Sequence, residues 1–211
     1  MKLISEFVTE DISINKDKNK NYYIEGIFLQ AERLNKNNRI YPIDVLKEQV
    51  EIYNTEYIQT KRALGELNHP DTPKVNPERA SHLITEIRQD GNNFYGKAKI
   101  LSKMPCGSIV ANLIDEGVKF GVSSRGLGEL VKESDGVSRC TSYLLCAIDV
   151  VSDPSAPEAF VNGIMENKEW VYCDGVITEE IVSQIKKRID KIKQNKQRNF
   201  AILFENFLRN L

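Results

Sequence analysis

The segment GVSSRG, residues 121–126, sets two serines side by side at the end of an alternating apolar run. Ser123 and Ser124 are chemically alike, so only their surroundings can separate them. Side chains alternate between the two faces of a strand. Val118, Phe120, Val122 and Ser124 fall on one face, which is apolar; Gly117, Lys119, Gly121 and Ser123 fall on the other, which is small and open. The alternation directs Ser123 toward a cleft and leaves Ser124, the alternative nucleophile, on the core face. A serine hydroxyl attacks a carbonyl only when a base within hydrogen-bond reach takes its proton. The chain has just two histidines. His69 lies in the loop-like GELNHP and His82 at the start of the strand-like SHLITEI. A loop can carry a side chain to the edge of another strand, which favours His69 as the base. Its bland alternative is a hydrogen bond within its own proline-rich turn.

A third group should orient the imidazole. Asp149 lies inside LLCAIDVV (144–151), an apolar run in which a carboxylate is costly unless hydrogen-bonded. Alternation puts it with Tyr143, Leu145 and Ala147, on a strand expected to pair with the serine strand. Glu66, three residues before His69, is the rival orienter, and Asp153 another. An oxyanion formed on attack needs donors, for which the amides near Arg125 and Gly126 are candidates, with Gly121 leaving room for a substrate backbone.

These groups need strands to hold them. NYYIEGIFLQ (21–30), SHLITEIRQ (81–89), NNFYGKAKIL (92–101), 118–131 and 139–152 read as strands, with turns at Asp90-Gly91 and 133–136. Ile43, Leu46, Val50 and Tyr53 recur at helical spacing after Pro42, and a second helix is predicted over 105–116, capped by Gly117. Residues 62–80 form a loop around His69. Residues 1–20 read as a flexible arm, 21–163 as the catalytic domain, and 164–211 as a basic amphipathic helical tail with isoleucines at 177, 181, 185, 189 and 192.

Composition narrows the function classes. The chain has 211 residues, is 41% hydrophobic and 28% charged, and carries a formal net charge of −1. This excludes a generally basic nucleic-acid binder, and no apolar stretch is long enough for a membrane helix. Four scattered cysteines without a C-x-x-C pair give no zinc site, no metal and no cofactor, and imply free thiols in a cytoplasmic chain.

GELNHP, then GVSSRG about fifty residues later, then DVVSDPSAPEA (149–159) resemble the prohead core proteases of T-even-like tailed bacteriophages. The resemblance extends over IEGIFLQ and NNRIYP, from about Tyr23 to Val161. It implies an α+β fold like herpesvirus assemblin, a mostly antiparallel β-barrel surrounded by helices, here followed by the C-terminal helical tail. It implies a serine endopeptidase whose histidine is His69 and whose serine is in GVSS. The herpesvirus relatives use a further histidine as third member, and this chain has no histidine after residue 82. Either an acid replaces it, with Asp149 the choice, or the site works as a dyad. It implies scaffold and capsid proteins as substrates, a homo-oligomer inside the immature capsid in the host cytoplasm, and cleavage after Glu in Leu/Ile-x-Glu. Such tripeptides end at Glu6, Glu166, Glu179 and Glu205, which are candidate self-cleavage sites. An acidic specificity suggests a positive subsite from Arg125, Lys119 or Arg62. The tail is a candidate for removal or for inhibiting the cleft. The competing readings are a non-enzymatic scaffold module with a basic docking tail, and a tail that grips DNA through Lys186, Lys187, Arg188, Lys191, Lys193 and Lys196.

Overall fold

A computed structural model describes residues 1–7, 12–18, 21–151, 168–173 and 176–181. Within it the alternation of NFYGKAKI is realised as a strand whose even-numbered residues, Phe94, Gly96, Ala98 and Ile100, all point inward. In chain order the strands are β1 (Lys2–Phe7), β2 (Ser13–Lys16), β3 (Tyr22–Gln30), β4 (Arg39–Ile40), β5 (Leu64–Glu66), β6 (Ala80–Asp90), β7 (Asn93–Ile100), β8 (Gly121–Lys132) and β9 (Ser138–Val151). Two helices, α1 (Ile43–Tyr53) and α2 (Pro105–Asp115), follow the predicted spacings. Leu46, Val50 and Tyr53 of α1 are buried, as its 3–4 periodicity requires. Gly91 turns β6 into β7 at φ 58°, a conformation that glycine adopts at little cost.

One sheet has the order β2-β3-β7-β6-β5 and a second the order β1-β8-β9-β4. Phe28, Phe94, Ile24, Ile84, Ile100, Val122 and Ile148 belong to the shared core. The second sheet carries the chemistry. Its central pair, β8 and β9, is antiparallel with Ser123 opposite Asp149 and Ser124 opposite Ile148. Directly opposed residues share a face, so Ser123 and Asp149 stand together. A register shift between Arg125 and Gly126 marks a bulge. Beyond it Gly126 and Gly128 oppose Leu145 and Tyr143, so Tyr143 comes over to Ser124's face, away from Asp149. The alternation-based grouping of Tyr143 and Leu145 with Asp149 is corrected by this extra residue.

Other expectations also change. The helix α2 ends in paired bonds, Val118 N–H to the Leu113 carbonyl and Gly117 N–H to that of Ile114, with Gly117 at φ 79°. This cap consumes the residues expected to begin the strand, so β8 starts at Gly121. Among the described residues one isolated parallel β-bridge, Leu67 to Val150, links the edge of the first sheet to β9, and the described strands do not close into a barrel. Asn68, at φ 63°, turns the chain out of β geometry just there. Residues 1–20 are not simply an arm: β1 pairs with β8 and β2 with β3.

Residues 1–165 form one compact unit and 166–211 another. In the second unit, β10 (Lys168–Cys173) and β11 (Val176–Ile181) pair antiparallel, where helical spacing had been counted from Ile177. Val171, Tyr172, Val176 and Ile177 are β-branched or aromatic, a composition that favours strands here over the helix read from the isoleucine spacing. The rest of the predicted tail helix, with its lysines, lies outside the described residues. Among the described residues no helix is long and apolar enough to cross a membrane.

Candidate active site

Three strand-held groups and one loop residue meet at the start of β8. After β5, the left-handed Asn68 donates its N–H to the Val150 carbonyl, at 2.8 Å, and the chain leaves the sheet with His69 beside β9. His69 Nδ1 lies 2.8 Å from Asp149 Oδ2, and its Nε2 lies 2.6 Å from Ser123 Oγ. The line Asp149–His69–Ser123 is therefore continuous.

The protonation states follow from Asp149. Burial pushes its carboxyl up, but hydrogen bonds from His69 and Arg125 and the charge of Arg125 outweigh that and hold it at about 2. Arg125 donates Nε–H to Oδ2 at 2.7 Å and from Nη2 to Oδ1 at 3.2 Å, while the Glu66 N–H donates to Oδ1 at 3.0 Å. An ionised carboxylate only accepts, so Nδ1 of a neutral His69 carries the ring proton. Its Nε2 then presents a lone pair to the Ser123 hydroxyl, the arrangement a general base needs.

Each predicted residue can now be placed. Ser124 faces away from His69 and receives a hydrogen bond from the Tyr143 hydroxyl at 3.3 Å. Glu66 is fully buried, but its carboxylate turns from His69 to the Asn76 N–H at 2.9 Å and Arg79 Nε at 3.1 Å. Arg125, expected near the oxyanion, is fully buried behind the triad instead. Its remaining hydrogen bonds go to the carbonyls of Thr72 and Lys74, with a further one to Glu66. Gly121 and Gly126 are ladder residues opposite Val151 and Leu145, and a side chain at 126 would run into the Tyr143 ring. His82 is structural: it is fully buried, its Nε2 is 2.8 Å from the Ile148 carbonyl, and burial lowers its pKa. Asp153, Glu166 and Glu205 lie outside the described residues, and Glu179 is in β11. Cys106, Cys140 and Cys146 are free, and burial pushes the thiols of Cys140 and Cys146 up to about 12, which disqualifies both as nucleophiles. No metal-binding cluster occurs among the described residues.

The sequence reading missed what lies on Ser123. β1 runs antiparallel along β8 with Glu6 opposite Ser124 and Phe7 opposite Ser123. The Glu6 carbonyl oxygen sits 2.9 Å from Ser123 Oγ. The Glu6 side chain is buried against Arg39, Tyr41, Asn35 and Asn37, beside a cavity of about 270 Å³ also lined by Phe28, Leu29, Leu34 and Ser124. The positive group near an acidic side chain is thus Arg39. Lys119 is exposed, and Arg62 is bonded to Thr60 and to the Glu56 carbonyl. The only sequence signal for this contact was the Ile-Ser-Glu tripeptide itself.

A serine, a histidine and a buried carboxylate in hydrogen-bonded series, with a peptide carbonyl against the serine, define a peptidase-like site. Residues 5–169 match the model of the prohead core protein serine protease family, and the chain belongs to that family; it is a protease. It is 43% identical over 143 residues to the prohead core protein protease of Enterobacteria phage T4, a match covering 66% of this chain and 67% of that protein. Its fold matches the solved structure of the bacteriophage T4 capsid assembly protease with a TM-score of 0.69 and 36% identity, over 72% of this chain and 98% of the other.

Proposed function

We propose that the protein is a serine endopeptidase of the phage prohead. In this reading it cuts scaffold and capsid proteins, and itself, after glutamate in Leu/Ile-x-Glu sequences during capsid maturation. The observation that carries the reading is the hydrogen-bonded series Asp149–His69–Ser123 with the Glu6 carbonyl oxygen set 2.9 Å from Ser123 Oγ. Ser123 Oγ attacks the carbonyl carbon and passes its proton to His69 Nε2. Asp149 balances the imidazolium. Collapse of the tetrahedral intermediate breaks the C–N bond as His69 gives the proton to the leaving amine. A water then attacks the acyl-serine by the same route in reverse, releasing a glutamate carboxylate and restoring Ser123. Family membership supports the prohead setting and the capsid substrates.

β1 supports self-cleavage at Glu6–Phe7, the bond whose carbonyl Ser123 touches. Its strand pairing with β8 is the pose a substrate strand would take, so β1 must leave before another chain can enter.

The decisive experiment compares wild type, Ser123→Ala, Ser124→Ala and His69→Ala on a peptide containing Lys-Leu-Ile-Ser-Glu-Phe-Val, with intact-mass measurement of each protein. Turnover and loss of residues 1–6 are expected in wild type and Ser124→Ala only. Activity that survives Ser123→Ala and disappears in Ser124→Ala would overturn the assignment.

A further inference from the structure

The cage around the Glu6 side chain is built of groups that the triad does not need. Glu6 Oε1 accepts from Arg39 Nη1 at 2.6 Å and from the Tyr41 hydroxyl at 2.8 Å; Oε2 accepts from Asn35 Nδ2 at 2.7 Å and Asn37 Nδ2 at 2.8 Å. We propose that Asn35, Asn37, Arg39 and Tyr41 are the subsite that reads glutamate before the cleaved bond, and that the absent side chain of Gly128 makes the seat for the aliphatic residue two positions earlier. This deepens the protease reading above and rests on it.

All four donors come from one stretch, NKNNRIY (35–41), which the triad leaves without a role. The stretch is a tight turn: the Asn35 N–H reaches the Arg39 carbonyl, the Asn38 N–H reaches the Asn35 carbonyl, and Asn38 sits at φ 54°. The Asn35 amide cannot be reversed without loss. Its Oδ1 already accepts from the N–H groups of Asn37, at 2.9 Å, and Arg39, at 3.0 Å, which leaves its Nδ2 aimed at the carboxylate. Burial and the neighbouring Glu6 charge keep the Tyr41 hydroxyl protonated, hence a donor. The cage therefore offers donors on both sides and one positive charge, a match for an anion with two acceptor oxygens.

Glutamine fits badly. Its amide nitrogen would face two donors on one side of the cage, and buried Arg39 would lose its counter-charge. Aspartate is one methylene short of the four donors. The other half of the reading follows from strand geometry. Ile4 and Glu6, two apart, share a side of β1, while Ser5 between them is only half-buried. Ile4 is fully buried, and its Cδ1 lies 2.7 Å from where a side chain at Gly128 would begin. A methyl there would meet the tip of the Ile4 side chain and force it to shift. One sheet edge thus recognises an aliphatic residue, any residue, then glutamate.

The test uses the full-length chain and three peptides differing at one position, with Ile-Ser-Glu, Ile-Ser-Gln or Ile-Ser-Asp before Phe-Val. Wild type should favour Glu over Gln by about 100-fold or more in kcat/KM, since a site with unpaired buried polar groups discriminates strongly. Measured on protein whose intact mass shows residues 1–6 already removed, Arg39→Gln should collapse that ratio by slowing the Glu peptide far more than the Gln peptide. Gly128→Ala should slow the Ile-Ser-Glu peptide and be relieved on Ala-Ser-Glu. A merely structural loss would depress every peptide alike. Equal cleavage of Glu and Gln peptides, or a ratio indifferent to Arg39→Gln, overturns the subsite while leaving the protease reading intact. A second readout needs no turnover. In Ser123→Ala protein, adding Glu6→Gln or Arg39→Gln should raise hydrogen exchange at residues 3–6 by about tenfold or more, the scale of losing a charged hydrogen bond. Unchanged exchange in both overturns the cage.

Discussion

Arg125 and Asp149 are both fully buried and joined by two hydrogen bonds, Nε to Oδ2 at 2.7 Å and Nη2 to Oδ1 at 3.2 Å. Two charges taken from water together persist only when their remaining donors and acceptors are met. They are: Arg125 also reaches the Thr72 and Lys74 carbonyls, and Asp149 also holds the Glu66 N–H and His69. Arg125 thus ties the 72–74 loop to Asp149 and holds that carboxylate ionised beside His69; under the proposed mechanism it is a positioning residue.

Replacing Arg125 separates its two contributions. Lysine keeps the charge but cannot span two carboxylate oxygens and two carbonyls at once. Arg125→Lys should fold, with reduced turnover and an acid limb of its pH–rate profile moved upward as Asp149 becomes easier to protonate. Arg125→Leu strands Asp149 and Glu66 and should cost about 3–5 kcal/mol in urea unfolding. Turnover equal to wild type in Arg125→Lys would remove the positioning role.

Acid should destabilise the fold through the same pair. Asp149 is held at about 2 in the folded chain against an ordinary 3.8. A depressed carboxylate contributes stability that is fully present above its unfolded pKa and disappears as pH falls through the folded one. The window is therefore about pH 4 down to 2, with on the order of 2 kcal/mol at stake. Urea midpoints measured across that range should fall more steeply for wild type than for Asp149→Asn. Parallel curves would show that Asp149 is not the titrating group.

The triad variants should fail as a unit. Ser123→Ala and His69→Ala should each lower kcat by about as much as the double variant, because neither works without the other. Asp149→Asn should cost on the order of 10⁴-fold by turning the His69 ring to the wrong tautomer. Additive losses in a kinetic double-mutant cycle would indicate that the two groups act separately.

How much of this was legible in the sequence depends on how far each contact reaches. Strand alternation separated Ser123 from Ser124, and the apolar run around Asp149 marked a carboxylate that needed partners; both are local patterns. The spacings of Leu46, Val50 and Tyr53, and the Asp90-Gly91 turn, were likewise local. The bulge opposite Arg125 was not, since it appears only once β8 and β9 are in register. Arg125 was misread because adjacency to a serine says nothing about the opposite strand, where Asp149 claims its guanidinium. β1 escaped because one of its buried residues is a glutamate, whose burial makes sense only with Asn35, Asn37, Arg39 and Tyr41 folded over it.

The placement of β1 makes a kinetic prediction. Ser123 Oγ is 2.9 Å from the carbonyl oxygen of its own chain's Glu6, so under the proposed function a first cut at Glu6–Phe7 is expected to be intramolecular and to need no encounter. Freshly folded full-length protein should turn over added peptide only after a lag. That lag should match the loss of residues 1–6 seen by intact mass, and its length should not change when protein concentration is raised tenfold. Glu6→Gln should slow the loss of residues 1–6, because the cage accepts glutamine poorly and its bond is cut slowly. A lag that shortens in proportion to concentration would mean that one molecule trims another. Full-rate turnover from the first seconds with the N-terminus intact would mean that β1 leaves the groove freely and does not obstruct it.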